Sequence, residues 1–166
     1  MLLAEPLRLQ VLVLCTGNSA RSIMAEAILN TIGSPLFRAY SAGSHPAGKV
    51  NPLALEQISQ LDLPLNMEIR SKSWQEFVGN NAPKLDLVLT VCDNAASEPC
   101  PIFPGDYARI HWGFSDPAGS SADIHQEREA FTQCFDAIKS RVEALVSMWS
   151  SANSEKSICN AMRSLA

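Results

Sequence analysis

Leu9-Gln-Val-Leu-Val-Leu-Cys15, followed directly by Thr16-Gly17-Asn18-Ser19-Ala20-Arg21-Ser22, is the stretch that decides how this chain folds. Its first half is a continuous apolar, β-branched run between Pro6 and the turn-forming Thr16-Gly17-Asn18. A run apolar at nearly every position, rather than at alternate ones, marks a parallel strand covered on both faces. Such a strand needs a crossover, and Ser22 to Ile32 supplies a helix: Met24, Ala25, Glu26, Ala27, Ile28 and Leu29 are good helix formers, and Gly33, Ser34 and Pro35 end it.

The pattern repeats outward from there. Phe37-Arg-Ala-Tyr-Ser41 alternates and stops at Ala42-Gly43, as a second short strand should, and Pro52 to Leu61 reads as a helix. Leu85 to Val91 is another buried strand, ended by Cys92-Asp93-Asn94, and Ala108 to Trp112 is a fourth. Apolar residues at 131, 134, 135, 138, 142, 145, 146 and 149 predict one long amphipathic helix from about Asp123 to Trp149. Strands alternating with helices define an open α/β sheet, whose ligands sit beyond the carboxyl ends of the strands at a switch in strand order.

The chain has 166 residues, 46% of them apolar, with 13 Lys and Arg against 17 Asp and Glu. That length buries roughly two-thirds of the unfolded chain's surface, so one core needs no disulfide or metal. A single domain over residues 1–166 follows, with a core from about 9 to 149 and a Ser-rich, weakly patterned tail over 150–166. A formal net charge of −4 and a pI near 5.3 argue against nucleic acid or an anionic membrane as a general partner, since both need a basic face. No apolar run approaches the roughly 18 residues of a membrane span. Met1 to Gln10 lacks the basic start and apolar core of a signal peptide, so the expected location is cytoplasmic, where Cys15, Cys92, Cys100, Cys134 and Cys159 stay reduced by default.

The loop from Cys15 to Ser22 carries the chemistry. Between a strand and a helix it can turn successive backbone N–H groups inward as a nest, while the helix adds its positive N-terminal end; both suit a tetrahedral oxyanion. Thr16, Gly17, Asn18, Ser19, Ala20 and Arg21 are therefore candidate oxyanion ligands, with the Arg21 fork closing the cradle. The same field favours a Cys15 thiolate, and Ser22 is placed to donate a hydroxyl bond to it. A nucleophilic thiolate inside an anion cradle points to phosphoryl or arsenyl transfer. The plainer alternative is a buried strand-end cysteine and a surface arginine. The Gly-Lys-Ser/Thr ending of a nucleotide P-loop is absent, so ATP and GTP are not expected.

With Met24-Ala25-Glu26, Tyr40-Ser41-Ala42-Gly43, Ser71-Lys72-Ser73-Trp74, Val91-Cys92-Asp93-Asn94-Ala95-Ala96, Cys100-Pro101, His111-Trp112-Gly113 and Asp116-Pro117, this loop resembles the low-molecular-weight protein tyrosine phosphatase superfamily, and within it the arsenate reductases on the same fold. The resemblance spans about Leu9 to Trp149. It implies a three-layer α/β domain, a four-stranded parallel sheet in order 2-1-3-4 with helices on both faces. The strands ending at Cys15 and Cys92 are then neighbours.

By the resemblance Asp116 is the general acid, with Pro117 fixing the loop's φ, although Asp-Pro alone is also a common turn. A phosphatase needs only Cys15, Arg21 and Asp116. A reductase also needs electrons: after a Cys15 thiol-arsenate adduct forms, Cys92 attacks the Cys15 sulfur, expels arsenite and leaves a disulfide. Strands about 4.8 Å apart fall within the Cα separation a disulfide accepts. Cys100 then resolves that bond. If residues 93–97 are helical, Cys92 and Cys100 lie about 12 Å apart, so the segment from Cys92 to Pro104 must rearrange with oxidation state.

The implied function is conversion of arsenate to arsenite through a thiol and disulfide relay. One alternative is phosphotyrosine hydrolysis through phosphocysteine, which Ala118-Gly119-Ser120 disfavours, because tyrosine-specific members often place aromatics there. A second is an oxyanion-binding redox sensor. No bound cofactor is expected, only an external reductant: thioredoxin, glutathione with glutaredoxin, or mycothiol. No metal is expected, since His45, His111 and His125 are scattered and no Cys-x2-Cys pair occurs. Some related reductases hold potassium through an Asn, a Glu, a Ser and an Asp; here Asn18, Glu26 and Ser41 match and Lys72 replaces the Asp, so its ammonium should stand in for the ion. Cys134 lies on the core stripe, Cys159 has no assigned role, His111 to Gly113 form a pocket wall, and Trp74 and Trp149 pack.

Overall fold

The structure, a computed structural model, describes residues 8–148 and 155–166. Strand β1 (Leu9–Leu14) leads through the Cys15 loop into helix α1 (Arg21–Thr31), then β2 (Phe37–Ala42) and α2 (Pro52–Ile58). A 3-10 turn at Trp74–Phe77 precedes β3 (Leu87–Thr90), the short α3 (Asp93–Ser97), β4 (Ala108–His111), the long α4 (Ile124–Met148) and α5 (Glu155–Ser164).

The strands form one parallel sheet in the order β2-β1-β3-β4, as the resemblance implied. Val11, Leu12, Val13 and Leu14 are each at most 1% exposed. Successive strand residues point to opposite faces, so β1 is covered on both. Helix α1 packs on β2 and against α2 and α4, while Phe77 of the 3-10 turn meets Tyr40 of β2 at a 5.6 Å ring separation.

Element ends differ from the sequence expectation by a few residues, for local reasons. Helix α1 begins one residue early, at Arg21. Helix α2 starts at Pro52, capped by the Asn51 side chain on Leu53 N–H, and stops at Ile58, after which Leu61 is only turn. The α4 stripe buries Phe131, Cys134, Phe135, Ile138, Val142 and Leu145; Trp149 lies outside the described residues. The stretch after 150, read as weakly patterned, contains α5, which packs on β4 and buries Ile158, Cys159 and Met162. Trp112 donates its indole N–H to the Met162 carbonyl at 2.8 Å.

Register fixes the site. Leu14 pairs with Ala42 on one side and Thr90 on the other. Cys15, one residue beyond β1, therefore lies at the carboxyl edge of the sheet beside Val91-Cys92 of the neighbouring strand.

Candidate active site

The loop from Cys15 is held by its carbonyls. His45 N–H donates to Thr16 O, Ala47 N–H to Gly17 O and Asn51 N–H to Ser19 O, at 2.9 to 3.0 Å. The segment after β2 thus takes up the oxygens on one side of the loop. The amides of Gly17, Asn18, Ser19, Ala20 and Arg21 have no acceptor among the described residues. Backbone N–H groups are rarely left unpaired, so a row of five is a feature that invites an anion. Asn18 makes the turn with a φ of 44°, which Asn tolerates better than most residues.

A cleft of about 170 Å³ opens over this row, lined by residues Cys15 to Arg21 together with Cys92, Asn94, Asp116 and Ala118. Arg21 donates to the carbonyl of Phe114 at 2.8 Å and stands 3.4 Å from Asp116. Asp116 turns its own loop by accepting the Ala118 N–H. The cradle, the arginine and the acid that the sequence singled out are thus gathered in one cleft.

The thiols behave as a pair. Cys15, 6% exposed, is raised far above the ordinary thiol value by the neighbouring Cys92 thiol and by burial, against the pull of Arg21. Cys92 moves the other way, down to about 5; the Cys15 thiol is the main cause, helped by the N–H groups of Thr16 and Ala95 and by Arg21, and opposed by burial. The two thiols are coupled, so their titration belongs to the pair rather than to either sulfur. The sequence argument put the low-pKa thiolate on Cys15 itself. It did not foresee that Cys92 caps α3, accepting the Ala95 N–H at 3.4 Å.

The Ser22 hydroxyl oxygen accepts the Asn18 side-chain amide at 2.8 Å, which orients the hydroxyl and leaves its own proton to donate. Asn18 in turn accepts the Lys72 N–H. The Lys72 ammonium reaches Ser41 at 3.4 Å, the Arg70 carbonyl at 3.2 Å and Glu26 at 3.6 Å. The Lys72 ammonium therefore sits against Glu26 and Ser41, while its main chain holds Asn18.

Cys100 is not brought to Cys92. It lines a different hollow, of about 160 Å³, with His111 and Ala95. His111 links Thr90 at 2.8 Å to Asp93 at 3.0 Å, so its role is to fix α3 to the sheet. Cys134 is core, its pKa raised to about 11 by burial. Sequence reading missed the Phe114 carbonyl, a backbone group without any residue signature. It also missed Glu98, which accepts the Thr16 hydroxyl at 2.7 Å, and Arg141, which stacks 4.5 Å from the Phe114 ring.

A cysteine and an arginine bracket a nest of amides, with an aspartate on a facing loop, at the carboxyl edge of a parallel four-stranded sheet, an arrangement able to present a thiol to a bound oxyanion. The chain belongs to the low molecular weight phosphotyrosine protein phosphatase family, whose model matches residues 10–157. An arsenate reductase of Bacillus cereus (strain AH187) is 38% identical over 130 residues, 78% of this chain and 88% of that one. Among solved structures, the arsenate reductase of Archaeoglobus fulgidus DSM 4304 superposes with a TM-score of 0.58 at 28% identity, covering 82% of this chain and 98% of that one. A low molecular weight phosphotyrosine phosphatase of Vibrio cholerae O395 gives 0.60 at 26%, covering 86% and 97%. The fold alone does not separate the two activities.

Proposed function

We propose that this protein is an arsenate reductase. The observation that carries the reading is the juxtaposition of two buried thiols, Cys15 and Cys92, at the floor of an anion cradle. A phosphatase has no use for the second thiol. The 38% identity to the Bacillus cereus arsenate reductase supports the same choice.

In this reading arsenate occupies the amides of Gly17 to Arg21 and the Arg21 guanidinium. Cys15 passes its proton to Cys92 and attacks arsenic as a thiolate; an S–As bond forms and an As–O bond breaks, with Asp116 giving the proton that lets the oxygen leave as water. Cys92, once deprotonated, attacks the Cys15 sulfur. The S–As bond breaks, its electron pair reduces As(V) to As(III), arsenite leaves, and a Cys15–Cys92 disulfide remains. Cys100 then displaces Cys15 from Cys92. Helix α3 stands between Cys92 and Cys100 in the reduced form, so it must unwind for that bond to close. A thioredoxin-type protein would reduce the resulting disulfide, whereas glutathione with glutaredoxin, or mycothiol, would attack an adduct directly.

The test is arsenate turnover with each reductant for wild type, Cys15→Ser, Cys92→Ser and Cys100→Ser. Loss of arsenite production in all three variants with thioredoxin supports the full relay. Loss with Cys15→Ser alone, with hydrolysis of para-nitrophenyl phosphate retained in the other two, replaces the reading with the phosphatase. Stoichiometric arsenate binding without turnover under any reductant would leave the sensor.

A further inference from the structure

The segment between Cys92 and Cys100 is tied to the catalytic loop at a point the mechanism above leaves unused. Thr16 Oγ1 donates to Glu98 Oε1 at 2.7 Å, and the same oxygen lies 3.9 Å from Cys92 Sγ, within the reach of a sulfur hydrogen bond. Thiol, hydroxyl and carboxylate form a chain from a sulfur that is 3% exposed to a carboxylate partly open to solvent. We infer that Glu98 is the proton acceptor for Cys92, acting through the Thr16 hydroxyl. The step it serves rests on the reductase reading, but the path itself is a property of the two thiols.

The acceptor answers a need that the coupled thiols create. Cys15 becomes a thiolate by passing its proton to Cys92, and Cys92 cannot attack until that proton has gone. Cys92 gives it to Thr16 Oγ1, and Thr16 gives its own hydroxyl proton to Glu98. The products are a Cys92 thiolate, an unchanged threonine and a carboxylic acid that returns its proton to water. The Cys92 electron pair then forms the S–S bond to Cys15. Other charges act on the thiols without bonding to Cys92: Arg21 and Asp116 from the cleft, with Asp93, next to Cys92 at the start of α3, engaged by His111. Glu98 is thus a positioning and proton-accepting residue, touching the reacting sulfur only through Thr16.

Glu98→Gln keeps an oxygen to accept from Thr16 but cannot take a proton. In the Cys100→Ser background, where the Cys15–Cys92 bond is trapped, closure of that disulfide is followed in a single turnover by quenching with N-ethylmaleimide and weighing the product. Arsenate drives one arm. Diamide, which takes up the two electrons and two protons without oxyanion chemistry, drives the other. In both arms Glu98→Gln closes about ten-fold or more slowly near pH 6.5 and rises more steeply with pH than the parent, as loss of an internal base requires. Glu98→Asp recovers part of the rate, and Thr16→Val slows the diamide arm as Glu98→Gln does, with no further loss in the double variant.

A purely static role predicts the opposite sign, because removing a negative charge near Cys92 favours its thiolate. Unchanged or faster closure of Glu98→Gln with diamide therefore overturns the inference. An arsenate arm that is dead in the parent beside a Glu98-dependent diamide arm overturns the reductase reading and upholds the proton path.

Discussion

The Arg21 guanidinium stands 3.4 Å from the Asp116 carboxylate, across the mouth of one cleft. The cation that would receive an oxyanion and the acid that would protonate its leaving oxygen hold each other in place. Asp116 is 55% exposed on its side chain, so the pair adds little to stability. Its effect is to orient Arg21, which the Phe114 carbonyl grips from the other side.

Asp116→Asn should separate the two roles of that carboxylate. The turnover number falls about 100-fold or more, the range for loss of a general acid. KM for arsenate does not rise, since Arg21 loses a competitor for the anion. Steady-state kinetics at fixed reductant checks both.

Alkylation by iodoacetamide should report the coupling of the two thiols. A thiolate at Cys92 with a pKa near 5 leaves the pair reactive through neutral pH and loses reactivity as pH falls through about 5. Cys15→Ser removes the largest cause of the lowering, so the midpoint for Cys92 moves up. Rates measured from pH 4 to 9 with peptide mapping give both curves; a Cys15→Ser midpoint at or below the parent's contradicts the coupling.

Lys72 and Glu26 are 7% and 6% exposed, and an unpaired charge at that depth is costly. Lys72→Met should lower stability by about 3 kcal/mol in urea unfolding. The intact protein should turn over equally in potassium and sodium, because its own ammonium already sits against Glu26 and Ser41. Stimulation by potassium alone would show that the ammonium does not replace the ion.

Gly43 leaves no room for a side chain. A Cβ there would lie 2.4 Å from Thr16 O and 2.6 Å from Cys15 O, both backbone atoms that cannot swing aside. Gly43→Ala must push the loop, and phosphate or arsenate binding by titration calorimetry should weaken about ten-fold.

Met162 is fully buried, and its carbonyl takes the Trp112 indole N–H. Met162→Ala should cost about 3 kcal/mol of unfolding free energy, with a red shift in tryptophan emission as water reaches Trp112.

How far the sequence carries depends on where each signal resides. The unbroken apolar run at Val11 to Leu14 and the stripe at Phe131, Cys134, Phe135, Ile138, Val142 and Leu145 reflect burial patterns set by short-range geometry, and both elements form where they were expected. Residue type and loop position pointed to Cys15 and Arg21, the family resemblance to Asp116, and all three line one cleft. Helix α5 escaped notice because its apolar face is sparse among serines and polar residues, although Ile158 and Met162 are buried against the sheet. The coupling of Cys15 to Cys92 and Glu98 on Thr16 depend on side chains brought together across the fold. No local pattern announces them.

Helix α3 is five residues long, closed by bonds such as Ala96 N–H to Cys92 O and Glu98 N–H to Asn94 O. One turn of helix has little cooperativity of its own. Its melting would disturb neither the ladder from Val11 to Leu14 nor the α4 packing, so the protein carries a cheap moving part on a stiff frame. Wear in such a design falls on the hinge: proteolysis and hydrogen exchange should find residues 93–104 long before they find the sheet.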